Sequence, residues 1–417
     1  MAANASPLPG QQVFCVEVLP TRDHPALAAQ SQAHSQAQSP QRMPVMNDKI
    51  PPHPIFATRR DFLRCSLLAL PPLALPAVFP RTAWGSAGTV INVRDKGAKG
   101  DGHHDDTDAF QDAVDALPGG GTVIVPPGNY IIDAMRAVNL RSNMLLQLDP
   151  NATLTAIPNN SPRSHVIKVW SANNVRIEGG RIIGERNNHG GMGGEWGYGL
   201  NIQASNQVHV SNMHISECWG DGIWIGAIGP NGNPVVSRDV TIDNVVSTNN
   251  RRQGLSIGPV DGVVIMNSTF SNSNGTKPES GIDIEPQAQG LARNITIDHC
   301  IISGNHGTGM EIHYNVSNVT VKNCSFRDNL GYGLLTADAP SQITIIDNVM
   351  TGNGLVGLVI AGQSSHIKAI DNTLQGNSAR YARRIAAAIA SPNAAAQKRE
   401  LRIDPETRDV TVSGTKF

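Results

Sequence analysis

Charge is the first thing this chain has little of. Its formal net charge is −1 over 417 residues, only 16% of them are charged, and no stretch forms a basic stripe. That excludes general electrostatic attraction to nucleic acid or to a membrane surface. Aromatic residues are scarce at 4%, although hydrophobic residues at 40% suffice for a core. Of five cysteines, Cys15 and Cys65 fall in segments read below as lost from the mature chain. Cys218, Cys300 and Cys324 remain, and an odd number without framework spacing excludes a disulfide scaffold. Long unbroken apolar runs are also missing. The run from Cys65 to Phe79 is interrupted by Pro71, Pro72 and Pro76 and followed by Pro80, which makes it a poor membrane-spanning helix.

Residues 1–45 are rich in Gln, Ser, Ala and Pro and show no hydrophobic period. Such a composition cannot offset chain entropy by burial, so residues 1–57 are expected to be a disordered extension, with Met46 as an alternative start. Thr58-Arg59-Arg60-Asp61-Phe62-Leu63 and the modest apolar region after it resemble a bacterial twin-arginine export signal spanning 58–87, cut after Ala87. That implies passage through the twin-arginine machinery, a periplasmic or secreted location, and no stable membrane insertion once the signal is removed.

What the chain has in quantity is glycine, 41 residues, and a repeat. One strand type reads Val175-x-Ile177, Val208-x-Val210, Val240-x-Ile242, Val263-x-Ile265, Ile295-x-Ile297, Val319-x-Val321 and Ile343-x-Ile345. A second begins at Gly199, Gly222, Gly254, Gly281, Gly309, Gly333 and Gly357, at intervals of 23, 32, 27, 28, 24 and 24 residues. Short strands, polar turns and this period predict a β-solenoid over 88–377, with the longer intervals marking loops between Gly222 and Gly309. Cys300 and Cys324 fall at equivalent places and are expected to stack as buried thiols. Residues 378–417 are expected to form a C-terminal cap and tail, helical over the Ala-rich Ser378–Ala390.

Alternation along the second strand type puts successive pairs outward: Asn201 and Gln203, Trp224 and Gly226, Ser256 and Gly258, Asp283 and Glu285, Glu311 and His313, Leu335 and Ala337. Coils stack about 4.8 Å apart, so Asp283 and Glu311 should lie roughly 5 Å apart at Cβ. Carboxylates that close repel, so at least one should hold its proton, the condition for general acid–base work. Asp221, Glu285 and His313 join this patch. Trp219 and Trp224 offer flat faces for a sugar, Arg251 and Arg252 offer guanidinium forks for carboxylates, and Lys277 and Tyr314 lie nearby.

A family resemblance enters at the start of the solenoid. Asn92-Val93-Arg94-Asp95-Lys96-Gly97-Ala98-Lys99-Gly100-Asp101-Gly102, then Asp105-Asp106-Thr107-Asp108-Ala109-Phe110, then Gly120-Gly121-Thr122-Val123-Ile124-Val125-Pro126-Pro127-Gly128-Asn129-Tyr130 resembles the opening of pectate-lyase-like proteins. The group includes rhamnogalacturonases, polygalacturonases and C5-epimerases. The resemblance implies an all-β, right-handed, single-stranded parallel β-helix with a short N-terminal helix cap. Of the polygalacturonase motifs only Asp221-Gly222 is present, and Arg252-Gln253 stands where those hydrolases carry two aspartates. Ile284-Glu285-Pro286-Gln287 distantly echoes the Asp-Pro-His segment of alginate-type epimerases and lyases.

The expectation is an exported enzyme on an acidic polysaccharide. Hydrolysis is placed first, through Asp283 and Glu311 with Asp221 and Glu285 in support. The alternatives are elimination or C5-epimerisation, with Arg251 or Arg252 holding a uronate and His313 or Tyr314 moving protons, or a non-catalytic carbohydrate-binding solenoid. No cofactor is required by these residues, no ligand spacing demands a metal, and calcium, which assists lyases of this fold, could be held by the oxygen-rich patch.

Overall fold

The computed structural model describes residues 88–379 and 397–417. The expected extension and export signal, and most of the expected Ala-rich helix, lie outside the described residues.

Each coil carries three strands where the repeat displayed two. A representative coil runs through Val316–Lys322, Ser325–Arg327 and Leu334–Thr336. All three pair in parallel with the next coil, Val319 opposite Ile343, Phe326 opposite Met350 and Leu334 opposite Leu358. The result is the expected all-β parallel β-helix, with the inward side chains of all three faces in one continuous aliphatic core. The third strand was hidden because it is only three residues long and a single residue of it, such as Phe270 or Phe326, points inward.

The corners are made by paired positions. Asn244, Asn267, His299, Asn323 and Asp347 all hold φ between 52° and 55°, the left-handed region that Asn and Asp tolerate best. The residue after each turns inward. At this corner Cys300 N–H lies 3.4 Å from Cys324 Sγ, Cys324 N–H donates to Asn348 Oδ1 at 2.9 Å, and Asn348 N–H donates to Asn372 Oδ1 at 3.0 Å. The two thiols are therefore free, buried and stacked, as expected. At the next corner Asn305, Asn329, Asn353 and Asn377 form a second column, ended by Glu400, whose Oε2 accepts from Asn377 Nδ2 at 2.5 Å. These ladders satisfy backbone groups that the bends remove from the sheets.

The glycine heading each second-type strand is required by close approach. A Cβ on Gly309 would lie 2.4 Å from the Gly333 carbonyl oxygen, and one on Gly281 would lie 2.5 Å from Ile302 Cγ2. At the N-terminal end the helix Thr107–Asp115 buries Phe110, Ala113 and Val114, with Phe110 edge-on to Tyr130. Asp106 accepts from Lys99 and Gly100 N–H, and Asp105 from Thr107 N–H, so both acids do turn work. At the other end Leu401–Ile403 and Arg408–Ser413 add final rungs to two of the faces.

The long intervals become walls. Val235–Val236 pairs antiparallel with Ala227–Ile228, and Gly232 N–H donates to Gln289 O at 2.8 Å. On the opposite side Arg186 ties its loop to Asn249 and Asn274. The middle coils of the glycine-led face thus lie between loops.

Asn329 makes four ladder bonds at once, accepting from Asn305 N–H and Nδ2 and donating to Ile302 O and Asn353 Oδ1. Asn329→Ala leaves these buried groups unpaired and is expected to cost about 3 kcal/mol. Chemical denaturation checks this, and a loss under about 0.5 kcal/mol would show the ladder to be incidental.

Candidate active site

The glycine-led face presents three outward columns, one more than alternation predicts. The middle column is Asn201, Trp224, Ser256, Asp283, Glu311 and Leu335. The trailing column is Gln203, Gly226, Gly258, Glu285 and His313. The leading column precedes the glycines: Tyr198, Asp221, Gln253, Ser280 and Thr308. Strict alternation would turn these residues into the core. They face outward because the glycine takes the inward place at the corner.

Three of the leading residues, Asp221, Gln253 and Ser280, bond to the middle residue of the following coil. Ser256 Oγ donates to Asp221 Oδ2 at 2.8 Å, Gln253 Nε2 donates to Asp283 Oδ2 at 2.5 Å, and Ser280 Oγ donates to Glu311 Oε1 at 2.8 Å. Asp283 is thereby fixed from one side, and its other oxygen, Oδ1, is buried without a hydrogen bond. His313 closes over it. Its Nε2 lies 3.5 Å from Asp283 Oδ1 and 3.2 Å from Glu311 Oε2, while Nδ1 lies 3.4 Å from Asp338 Oδ2.

The electrostatics follow from this packing. Burial, reinforced by the charges of Glu311 and Glu285 and opposed by His313 and Arg252, pushes the Asp283 carboxyl up to about 7. Burial also works against the charge of Glu311. The hydrogen bond and charge of His313, with bonds from Ser280 and Thr308, nonetheless hold it below the ordinary carboxylate value. His313 would be lowered by burial, but Glu311, Asp283 and Glu285 push it up to about 10. At neutral pH the cluster is an imidazolium between an ionised Glu311 and an Asp283 poised to gain or lose a proton.

Several expected roles change. Arg252 is not available to hold a uronate: Nη1 lies 3.3 and 3.2 Å from the two Asp221 oxygens and donates to Gln253 Oε1 at 2.7 Å, and Nε lies 3.3 Å from Glu195. It neutralises buried Asp221 and orients the Gln253 amide toward Asp283. Asp221 is fully buried, and its carboxyl is raised by burial against the pull of Arg252, so it supports the site from beneath. Arg251 and Trp219 belong to the wall. The Trp219 ring is sandwiched between His189, 3.7 Å away and nearly parallel, and the Arg251 guanidinium at 3.7 Å, which leaves no open face for a sugar. Arg251 Nη1 is also spent on the Gly194 and Trp219 carbonyls. Lys277 pairs with Glu279 at 2.6 Å and is 80% exposed, outside the cluster. Trp224 keeps its place in the groove, near-parallel to Tyr198 at 5.8 Å. Its ring lies across Gly226 and Gly258, where a Cβ would come within 2.7 and 3.1 Å of it. Tyr314 flanks Glu285, its phenol raised by burial and by the charges of Glu285 and Asp338.

Gln253 is the residue that sequence reasoning passed over. A polar residue immediately before a strand-heading glycine is the sequence signal that points to it.

Asp283, Glu311 and His313 bring ligand-type atoms within 4.8 Å of one another. Two carboxylates and an imidazole do not by themselves make up the six to eight oxygens that calcium takes.

The family description "Right handed beta helix region" matches residues 140–289 and 235–374, together more than half of the chain. This chain belongs to the right-handed β-helix family. Within the family it is 34% identical over 187 residues to the SPbeta prophage-derived uncharacterized protein YorA of Bacillus subtilis, 39% of this chain and 32% of that protein. It therefore spans about a third of that relative's length. It is 33% identical over 158 residues to the mannuronan C5-epimerase AlgE6 of Azotobacter vinelandii, 37% of this chain and 16% of that protein. The solved A-module of that epimerase superposes with a TM-score of 0.60 at 19% identity, covering 69% of this chain and 77% of the module. PfbA, a surface adhesin of Streptococcus pneumoniae, superposes with a TM-score of 0.56 at 21% identity over 70% of this chain and 79% of the adhesin. Enzymes and adhesins thus share the fold, and the chemistry has to be argued from the cluster.

Folded Asp283 keeps a proton that an ordinary aspartate gives up near 3.8. Folding therefore takes up a proton between about pH 4 and pH 7, and the contribution of this group to stability falls as pH rises through that window. Asp283→Asn removes the penalty. The melting temperature of the variant relative to the parent is expected to rise between pH 4 and pH 8, and a flat difference across that range would mean that Asp283 ionises normally.

Proposed function

We propose that the chain is an exported enzyme acting on an acidic, uronate-containing polysaccharide, and that it moves a proton at the carbon bearing the carboxylate, in β-elimination or C5-epimerisation. The observation that carries this is His313 wedged between Asp283 and Glu311. A glycosidase needs two carboxyl groups open to the scissile bond, whereas here an imidazolium fills the space between them. Removing a proton next to a carboxylate loads negative charge onto that group, and a fixed cation in a largely buried site stabilises such charge. His313 supplies the cation. Asp283, held near neutrality, supplies or accepts the proton, and Glu285 and Tyr314, beside the cluster, are the groups assigned to the second proton transfer. Trp224 gives the ring a surface to lie on. The likeness to a mannuronan C5-epimerase supports an acidic substrate, and Arg59-Arg60 ahead of a modest apolar segment supports export to the periplasm or beyond.

Hydrolysis is the second reading, favoured by carboxyl oxygens of Asp283 and Glu311 within 4.8 Å of each other, near the separation of about 5–5.5 Å used by retaining glycosidases.

Incubation with a panel of polyuronates in heavy water separates these readings. Epimerisation puts deuterium at C5, elimination gives unsaturated chain ends whose C5 carries no hydrogen, and one or the other signal is expected. New reducing ends without either signal would indicate hydrolysis, and no turnover on the whole panel would return the chain to a binding role. Asp283→Asn is expected to lower turnover by about 10²–10⁴-fold while leaving glycan binding near the parent level.

A further inference from the structure

The groove continues past the acid cluster in both directions, and its two ends differ. Beyond Glu311 the middle column passes the apolar Leu335 and Val359 to Arg402, which is paired with Asp404 at 2.7 Å. Toward the N-terminal end it passes Ser256, Trp224 and Asn201 and reaches Lys168, with Trp170 beside it in the trailing column. Lys168 lies four rungs from Asp283, roughly 19 Å at the usual strand spacing.

This end is built rather than incidental. Trp170 Nε1 donates to Asn201 Oδ1 at 2.9 Å, and Asn201 Nδ2 lies 3.2 Å from His165 Nδ1. Asn201 is fully buried and His165 nearly so. Burial, with the charges of Lys168 and Arg163, pushes the imidazole down to about 3, so it is neutral and its ring nitrogen can accept that bond. The indole is thus pinned by a satisfied polar chain, yet Trp170 stays 39% exposed. The Lys168 ammonium lies 4.9 Å from the ring centre. Among the described residues it has no carboxylate partner and no hydrogen bond, although partial burial lowers its pKa. A half-buried ammonium without a counter-ion, held over a fixed indole that His165 packs edge-on at 5.5 Å and that stays partly exposed, matches a sugar that carries a carboxylate: the anion meets the amine and the sugar packs against the exposed part of the indole.

We propose that Lys168 and Trp170 form a distal subsite for an acidic sugar, so that the polysaccharide runs from His313 over Trp224 toward the N-terminal coils. The proposal rests on the reading of the groove as one for acidic polysaccharide, and it adds direction and length: affinity grows with chain length until the Lys168 rung is reached.

The test uses oligouronates of increasing length with the parent, Lys168→Gln, Trp170→Ala, and Lys368→Gln as a charge control on another face. Turnover is measured in each, and binding is measured by calorimetry in the Asp283→Asn background. Lys168→Gln is expected to lose about tenfold in affinity and in kcat/KM on long oligomers, the loss growing with length and shrinking in high salt, while Lys368→Gln follows the parent. Trp170→Ala is expected to weaken long oligomers with little salt dependence. Parent-like behaviour of Lys168→Gln on long oligomers overturns the subsite whatever the turnover. Binding that depends on Lys168 without turnover keeps the subsite and removes the proposed reaction. No binding of any oligouronate overturns both.

Discussion

The molecule depends on parallel registration of one coil on the next. Because the hydrogen-bonded rungs repeat about every 4.8 Å, any side chain on a face has its counterpart in the neighbouring coil at contact distance. Inside, this stacks like on like: Val319 against Ile343, Phe326 against Met350, asparagine against asparagine at the corner. Outside, the same constraint brings groups together whether or not they attract. Asp283 and Glu311 are forced side by side by their backbones, and the unfavourable result is relieved by a protonated His313 between them and by a proton retained on Asp283.

That relief also leaves the face with a carboxyl that titrates near neutrality. An isolated carboxylate on a solvated strand would titrate normally and do nothing. Here the floor beneath Asp283 is supplied by Gln253, which is aimed by Arg252, which is in turn neutralised by Asp221 and Glu195. The chain of contacts crosses three coils and leaves a single carboxyl oxygen of Asp283 without a hydrogen bond, next to the cation. Residues far apart in sequence act as one unit because the solenoid places them on adjacent rungs.

How much of this could be read from the chain alone depended on how regular the local rule was. The columns Ser256–Asp283–Glu311 and Glu285–His313 follow from alternation after glycine, and their register is as the spacing implied. The leading column does not follow from alternation, because a glycine at the corner takes the inward position and shifts the phase by one residue. Gln253 was missed for that reason. Arg251, Arg252 and Trp219 lie near the acids but are already engaged by other groups of the protein, because sequence shows that a guanidinium or an indole is near the groove and not which partners occupy it. The three-residue third strand leaves no visible period in the sequence because it contributes one inward side chain per coil.

The proposed uronate site around His313 is tested by a crystal structure of Asp283→Asn soaked with an oligouronate. A sugar carboxylate within hydrogen-bond reach of the His313 ring, with the sugar against Trp224, is expected. A saccharide seated on another face of the solenoid, or one in the groove with its carboxylates turned away from His313, would contradict it.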